Sequence, residues 1–258
     1  MLRLLCFLLP LLLIEIDAKK CGKNFIHIPK DYNNEGVPFS YNNPCLIKVN
    51  FFYIRLLEVN DLQKIITLST GLNLSWNDDR LKSTGNVTAS LVKLPSSCKN
   101  ALWFPDTYIF GLHQFKQLQL TEKFDYIYLS NNSQITHTDF FEMDIYCNMN
   151  FDDYPFDSQN CTLNLTSFHN DKTKIVFELG RVEYSDRHQI NNLEYTASVQ
   201  RMDSFNDRYS GTDGNELTWS VVGFSIQLVR KPKKILIDYC VPSGLLVMVS
   251  WVIFTMQI

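Results

Sequence analysis

Two cysteines, Cys147 and Cys161, bracket thirteen residues, Asn-Met-Asn-Phe-Asp-Asp-Tyr-Pro-Phe-Asp-Ser-Gln-Asn. A bridge between them would remove about 3 kcal/mol of loop-closure entropy from the unfolded chain. It would also hold three carboxylates, Asp152, Asp153 and Asp157, beside an apolar tip, Tyr154-Pro155-Phe156. The plainest reading is a staple between neighbouring strands. Segments rich in β-branched and aromatic residues, separated by turn-like polar breaks, run on both sides of it. They cover residues 47–57, 64–76, 124–129, 138–146, 162–166, 174–179, 193–202 and 219–229, with a polar turn at 58–62 between the first two. This succession predicts an all-β, antiparallel β-sandwich. Residues 19–45 carry Pro, Asn and Gly with little periodicity, and predict a short helix or loop cap ahead of the first strand.

The two ends of the chain have a different character. Residues 1–18 hold one early positive charge, an apolar core and Ile16-Asp17-Ala18 as a cleavage site, the pattern of a secretory signal peptide. Cys6 then leaves with the signal, and the mature chain folds in an oxidising compartment. Five Asn-x-Ser/Thr sequons, at Asn73, Asn86, Asn131, Asn160 and Asn164, suit that route and are the expected glycan acceptors. At the other end, residues 239–258 contain no formal charge over twenty positions. A helix of that length spans about 30 Å, one hydrocarbon core. Pro242 stands near its start, where a helix tolerates proline, and Cys240 becomes a lipid-facing thiol. Of the remaining cysteines, Cys21, Cys45 and Cys98, one pair and one free thiol is the simplest arrangement, and the sequence leaves the pair open.

A net charge of -3 over 258 residues, with no basic stripe interleaved with aromatics, speaks against a nucleic-acid partner. No phosphate-cradling glycine motif, nucleophile–base arrangement or metal-ligand spacing is present, and His113, His137, His169 and His188 are scattered. The chain is expected to be no enzyme and to carry neither cofactor nor metal.

Several stretches, in order, resemble one family. Trp76-Asn-Asp-Asp-Arg-Leu81 resembles a Trp-x-Asp-x-Arg-Leu motif, and Trp103-Phe-Pro-Asp106 a Trp-x-Pro-Asp motif. The Cys147–Cys161 segment has the length and Tyr-Pro-Phe-Asp core of a signature loop, and Val241-Pro-Ser-Gly-Leu-Leu-Val-Met-Val-Ser-Trp251 resembles a first transmembrane helix. Together, from about residue 46 to the C-terminus, these resemble the Cys-loop receptors, the pentameric neurotransmitter-gated ion channels. The resemblance implies a Cys147–Cys161 disulfide, an immunoglobulin-like extracellular sandwich over 19–238, and the first membrane helix over 239–258. It implies a plasma-membrane location with the N-terminal domain outside, membrane lipid around the helix, and a homo- or hetero-pentamer of related subunits. It also implies a small neurotransmitter-like ligand, bound between subunits in a box of aromatic rings where an ammonium gains about 0.5–2 kcal/mol per good contact.

Carried over by position, the resemblance places Tyr108, Phe168, Trp219 and either Tyr209 or Phe205 on the principal side of that box. The complementary side departs from the family. Its usual aromatic falls on Gly71, a frequent arginine on Asn73, and another arginine on Phe140, with Thr138 two residues earlier. A carboxylate agonist normally needs such a cation, so a homomeric amino-acid site is disfavoured. Coupling to the membrane is implied for Glu58 and Asp61 of the polar turn, Tyr154, Pro155, Phe156 and Asp157 of the cysteine loop, and Arg230 ahead of the helix. Trp76, Asp78, Arg80, Trp103 and Asp106 are expected to brace the fold. Two alternatives stand beside this reading: a secreted, channel-less binding protein of the same fold, and a non-binding or truncated structural subunit.

Overall fold

The computed structural model describes residues 21, 26–38, 43–83, 91–118, 126–130, 133–184, 194–210 and 216–256. The signal segment, the sequons at Asn86 and Asn131, and residues 19–20, 22–25 and 39–42 of the expected N-terminal helix or loop cap lie outside these; its longest described part, 26–38, is a two-residue strand followed by turns and loop. Thirteen strands are present among the described residues: β1 (Ile26–His27), β2 (Cys45–Asn60), β3 (Ile65–Asn77), β4 (Lys82–Ser83), β5 (Leu91–Leu94), β6 (Thr107–Ile109), β7 (Leu112–Gln117), β8 (Tyr126–Ser130), β9 (Gln134–Tyr146), β10 (Ser158–Ser167), β11 (Ile175–Tyr184), β12 (Tyr195–Ser210) and β13 (Glu216–Arg230). A helix, α1 (Lys233–Met256), follows.

Eleven of these strands form two layers, and β1 pairs with β4 apart from them. One sheet runs β11-β2-β3-β9-β8-β5, with β7 also paired to β9; the other runs β12-β13-β10-β6. All pairs are antiparallel except β11 with β2. Period-2 alternation drives the layering: Ile47, Val49 and Phe51 of β2 are buried while Lys48 is exposed and Asn50 partly so. Opposite them, Leu163 and Leu165 of β10 and Phe224, Ile226 and Leu228 of β13 supply the second inner face. The Phe51 and Phe224 rings meet edge to face at 5.0 Å across the two layers.

Cys147, just past β9, is bonded to Cys161 on β10, so the bridge joins one sheet to the other. A second disulfide pairs Cys21 with Cys98, tying the N-terminal segment to a short 3-10 helix at Ser96–Asn100. Cys45 is the buried free thiol, its pKa pushed up to about 12, mainly by burial, with Asp78 adding and Arg80 opposing.

The Trp-x-Asp-x-Arg motif braces the end of the sandwich far along the chain from α1. Arg80 grips both oxygens of Asp78 with its Nε and Nη2, at 2.7 and 2.8 Å. The Tyr32 hydroxyl donates to Asp78 and accepts from the Trp103 amide, while Arg80 lies over the Tyr32 ring. Burial, outweighing the Trp103 amide, pushes the Tyr32 phenol well above its ordinary value. The N-terminal segment is thereby held against both tryptophan motifs.

Helix α1 spans 24 residues of mean hydropathy 1.8, none of that surface buried. It starts at Lys233, ahead of the uncharged run, and winds more widely over Leu236–Cys240.

Candidate functional site

Three segments converge where the sandwich meets α1. Arg230, the last residue of β13, is buried, and its Nε donates to Asp157 Oδ1 at 2.6 Å. Its Nη2 reaches Asp157 Oδ2 at 3.2 Å and Asp61 Oδ2 at 2.7 Å. The two acids come from the cysteine loop and from the β2–β3 turn, 73 and 169 residues away in sequence. Gln159 donates to Asp157, and the Tyr195 hydroxyl donates to Asp61. The guanidinium also lies over the rings of Tyr195 and Tyr154, 4.4 and 5.0 Å from their centroids.

Burial alone would raise the Asp157 pKa, but the hydrogen bonds from Arg230 and Gln159 hold it below the usual carboxylate range. Arg230 shows the mirror image: burial favours loss of its proton, and the bonds to Asp157 and Asp61 raise its pKa instead. Burial and the bond to Asp61 push the Tyr195 phenol well up. An exposed charge pair contributes about 0–1 kcal/mol. Here the Arg230 and Asp157 side chains are each 2% exposed, so breaking the pair leaves an uncompensated buried charge.

Of the coupling residues read from the sequence, Asp61, Asp157, Arg230 and Tyr154 come together. Phe156 is exposed and Pro155 partly so, beyond the cluster. Glu58 lies exposed on β2 and is not among the described contacts of Arg230. Tyr195 and Gln159 were missed in the sequence reading. Tyr195 carries no motif signal and acts by register, opposite Arg230 in the β12–β13 pair, whereas Gln159 lies inside the cysteine-loop motif, two residues past the Asp157 it bonds.

A second group of side chains gathers at the other end of β10. Tyr108 on β6 pairs in register with Thr166, and its ring lies 5.6 Å from that of Phe168, which is 63% exposed. Phe110 adds a third ring, 5.5 Å from Tyr108. Asp106 fixes the two loops together, accepting from Ser167 Oγ, the His169 amide and Asn170 Nδ2 at 2.7–3.0 Å. Burial raises its pKa, but these three bonds outweigh it and leave Asp106 below its ordinary value. His169 stacks edgewise on Phe168, its Nδ1 3.4 Å from Asp106.

Phe205 and Tyr209 ride on β12 and Trp219 on β13. Register places Phe205 against Val221 and Asp207 against Trp219, so Phe205 and Trp219 share one face of the ribbon; the side chain of Tyr209 lies outside the described residues. The 211–215 tip between the strands lies outside the described residues.

The complementary positions lie on the outer face of the seven-stranded sheet. Thr138 accepts from Asn73, Asn73 accepts from Asn50, and Asn50 accepts from the Arg181 amide, at 2.8, 3.1 and 2.8 Å. This ladder crosses four strands and occupies the sequon nitrogen of Asn73. Asn160 is exposed on β10 and Asn164 partly buried.

A profile of the family described as "Neurotransmitter-gated ion-channel ligand binding domain" matches residues 23–232. The chain belongs to that family. Its relatives are Cys-loop receptor subunits, channels and not enzymes. The chain is 22% identical to the human 5-hydroxytryptamine receptor 3E, over 83% of this chain and 46% of the receptor. It is 26% identical to pH-sensitive chloride channel 2 of Drosophila melanogaster, over 80% of this chain and 41% of the channel. It is also 26% identical to the gamma-aminobutyric acid receptor subunit pi of Bos taurus, over 93% and 54%. The chain thus spans about half the length of the curated relatives it matches.

Proposed function

We propose that this chain is the extracellular ligand-binding part of a pentameric ligand-gated channel subunit of the plasma membrane. A small neurotransmitter-like ligand sits between subunits, against Tyr108 and Phe168 and the Phe205–Trp219 face of the β12–β13 ribbon, with Tyr209 as the alternative tip ring. Movement of that ribbon is passed along β13 to Arg230 and into α1, which crosses the membrane. The observation that supports this reading is the convergence of cysteine loop, β2–β3 turn and β13 on one buried guanidinium, three residues before an apolar helix with no buried residue. That helix also favours a membrane receptor over a secreted, channel-less binding protein. A salt-bridged junction of this kind supplies a two-state element that a ligand can bias.

The test is light scattering and thermal melting of the detergent-solubilised chain with a panel of amines and amino acids. A pentamer whose melting temperature rises with one ligand, and loses that rise in Tyr108→Ala, is the expected result. A ligand-blind monomer would overturn the reading.

A further inference from the structure

A basic run, Arg230-Lys-Pro-Lys-Lys234, joins the sandwich to α1. Arg230 turns inward to its two acids. Among the described residues, Lys231, Lys233 and Lys234 make no ion pair and no side-chain hydrogen bond. With the sandwich outside the cell, they stand on the side of a membrane span where basic residues are scarcer, so topology does not account for them.

The same segment turns a corner. β13 ends at Arg230 and α1 starts at Lys233, so an extended strand passes into a helix across two residues. The Lys231 amide donates to the Glu194 carbonyl at 2.6 Å, and the Leu236 amide to the Pro232 carbonyl at 2.9 Å. Between the strand end and the first helical turns lies a cavity of about 530 Å³. Val229, Pro232, Leu236 and Ile237 give it apolar walls, Lys231 and Lys233 line it as well, and no acidic residue does.

Val229 differs from its neighbours on the outward face of the sheet. Ser158 and Thr196, across the ladder on either side, and Gln227, two residues earlier, are exposed and polar. Val229 is 46% exposed and Ile237 53%, so outward apolar surface begins on this strand where the helix does. Tyr239 opens the uncharged run, about 9 Å along the helix from Lys233. That sets the cavity at the depth of the polar layer that flanks the hydrocarbon core.

We infer that this cavity binds one acidic phospholipid of the outer leaflet. Lys231 and Lys233 pair with its phosphate, and Val229, Leu236 and Ile237 pack against its glycerol and first acyl carbons. The inference rests on the membrane span proposed above. A phosphate is the acceptor that both ammonium groups lack, and lysine stems lie along apolar walls while their heads keep to charge. The bound lipid would brace the segment between Arg230 and α1.

The test uses the full chain with phosphatidylglycerol as probe. Flotation with neutral phosphatidylcholine vesicles comes first, since it needs the span and not the cavity. A chain left in the aqueous fraction overturns the span, and the lipid site with it. Native mass spectrometry from detergent, with equal phosphatidylglycerol and phosphatidylcholine, then counts the lipid carried by each chain. The parent should retain phosphatidylglycerol, and Lys231→Gln and Lys233→Gln should each lower its retention about fivefold. Lys234→Gln makes the same charge change outside the cavity lining and should do much less. Equal losses in the three variants would mean diffuse attraction to a basic segment, and would overturn the site. So would equal retention of the two lipids by the parent, or displacement of the lipid by glycerol phosphate, which lacks the chains. A double variant, Lys231→Gln with Lys233→Gln, that changes the mass of the assembly but not its lipid preference would assign the cavity to a contact between chains instead.

Discussion

The sandwich carries an Asp–Arg–Tyr cluster at each end, built from the same chemistry to different effect. Asp78, Arg80 and Tyr32 form a brace whose charged partners are two residues apart, with the Arg80 side chain 31% exposed. Asp61, Asp157, Arg230 and Tyr195 join four distant segments, with the Arg230 side chain 2% exposed. In the first, one strand end makes its own ion pair and lends it to a neighbouring segment. In the second, the pair exists only while three loops and strands hold their relative positions. A local pair reports its own turn, whereas a buried pair between remote segments reports their docking, which a conformational switch at the membrane end requires.

The sharpest way to break this comparison is truncation. Arg230→Ala should destabilise the chain by about 3–5 kcal/mol, because Asp157 is left buried and unpaired. Arg80→Ala should cost less, about 1–2 kcal/mol, since Asp78, itself fully buried, keeps the Tyr32 hydroxyl and the residue-80 amide as donors. Denaturant unfolding of both variants measures the difference, and equal losses would erase the distinction. Because Arg230→Ala attacks folding as well as the proposed coupling, Arg230→Lys is the variant to carry into a complete receptor. It keeps the charge and loses the fork, so impaired gating with near-normal surface expression is the expected pattern.

Acid sharpens the same contrast. The native Asp157 pKa lies below its unfolded value, so its contribution is complete above the ordinary carboxylate range, near pH 4. It is lost as the pH falls further, through the depressed native value. A melting-temperature profile against pH should therefore fall on the acid side, less steeply in Asp157→Asn, with Asp106 contributing in the same direction. A slope unchanged in Asp157→Asn would mean that the pair does not control acid stability.

Smaller effects probe single bonds. Tyr195→Phe removes the hydroxyl held by Asp61 and should cost about 1 kcal/mol. At the other end, Cys45 serves as a reporter: buried and with a raised pKa, it should resist alkylation in the native protein and react once the chain is unfolded. Faster labelling of Cys45 in Arg80→Ala would show that the brace guards the thiol, and unchanged labelling would show that it does not.

Much of the frame was legible without coordinates. The eight apolar runs became β2, β3 and β8–β13, some by alternation, as in β2 and β9, and β13 as a continuous run buried over Ser220–Ile226. Strands β5, β6 and β7 escaped notice, being short, with β7 exposed along nearly its whole length. Of the site, Tyr108 and Phe168 were readable from motif position, and the structure puts their rings in contact. Phe110 was not, since nothing in its sequence distinguishes it from an ordinary apolar residue.

The β-sandwich and the apolar helix were readable from periodicity and composition, which are local and survive without a partner, and the Cys147–Cys161 pairing from the family resemblance. Tertiary structure alone decided that Cys98 pairs with Cys21 and not Cys45, and that Arg230 is buried between two remote acids. Each of these depends on which strands lie side by side and in what register.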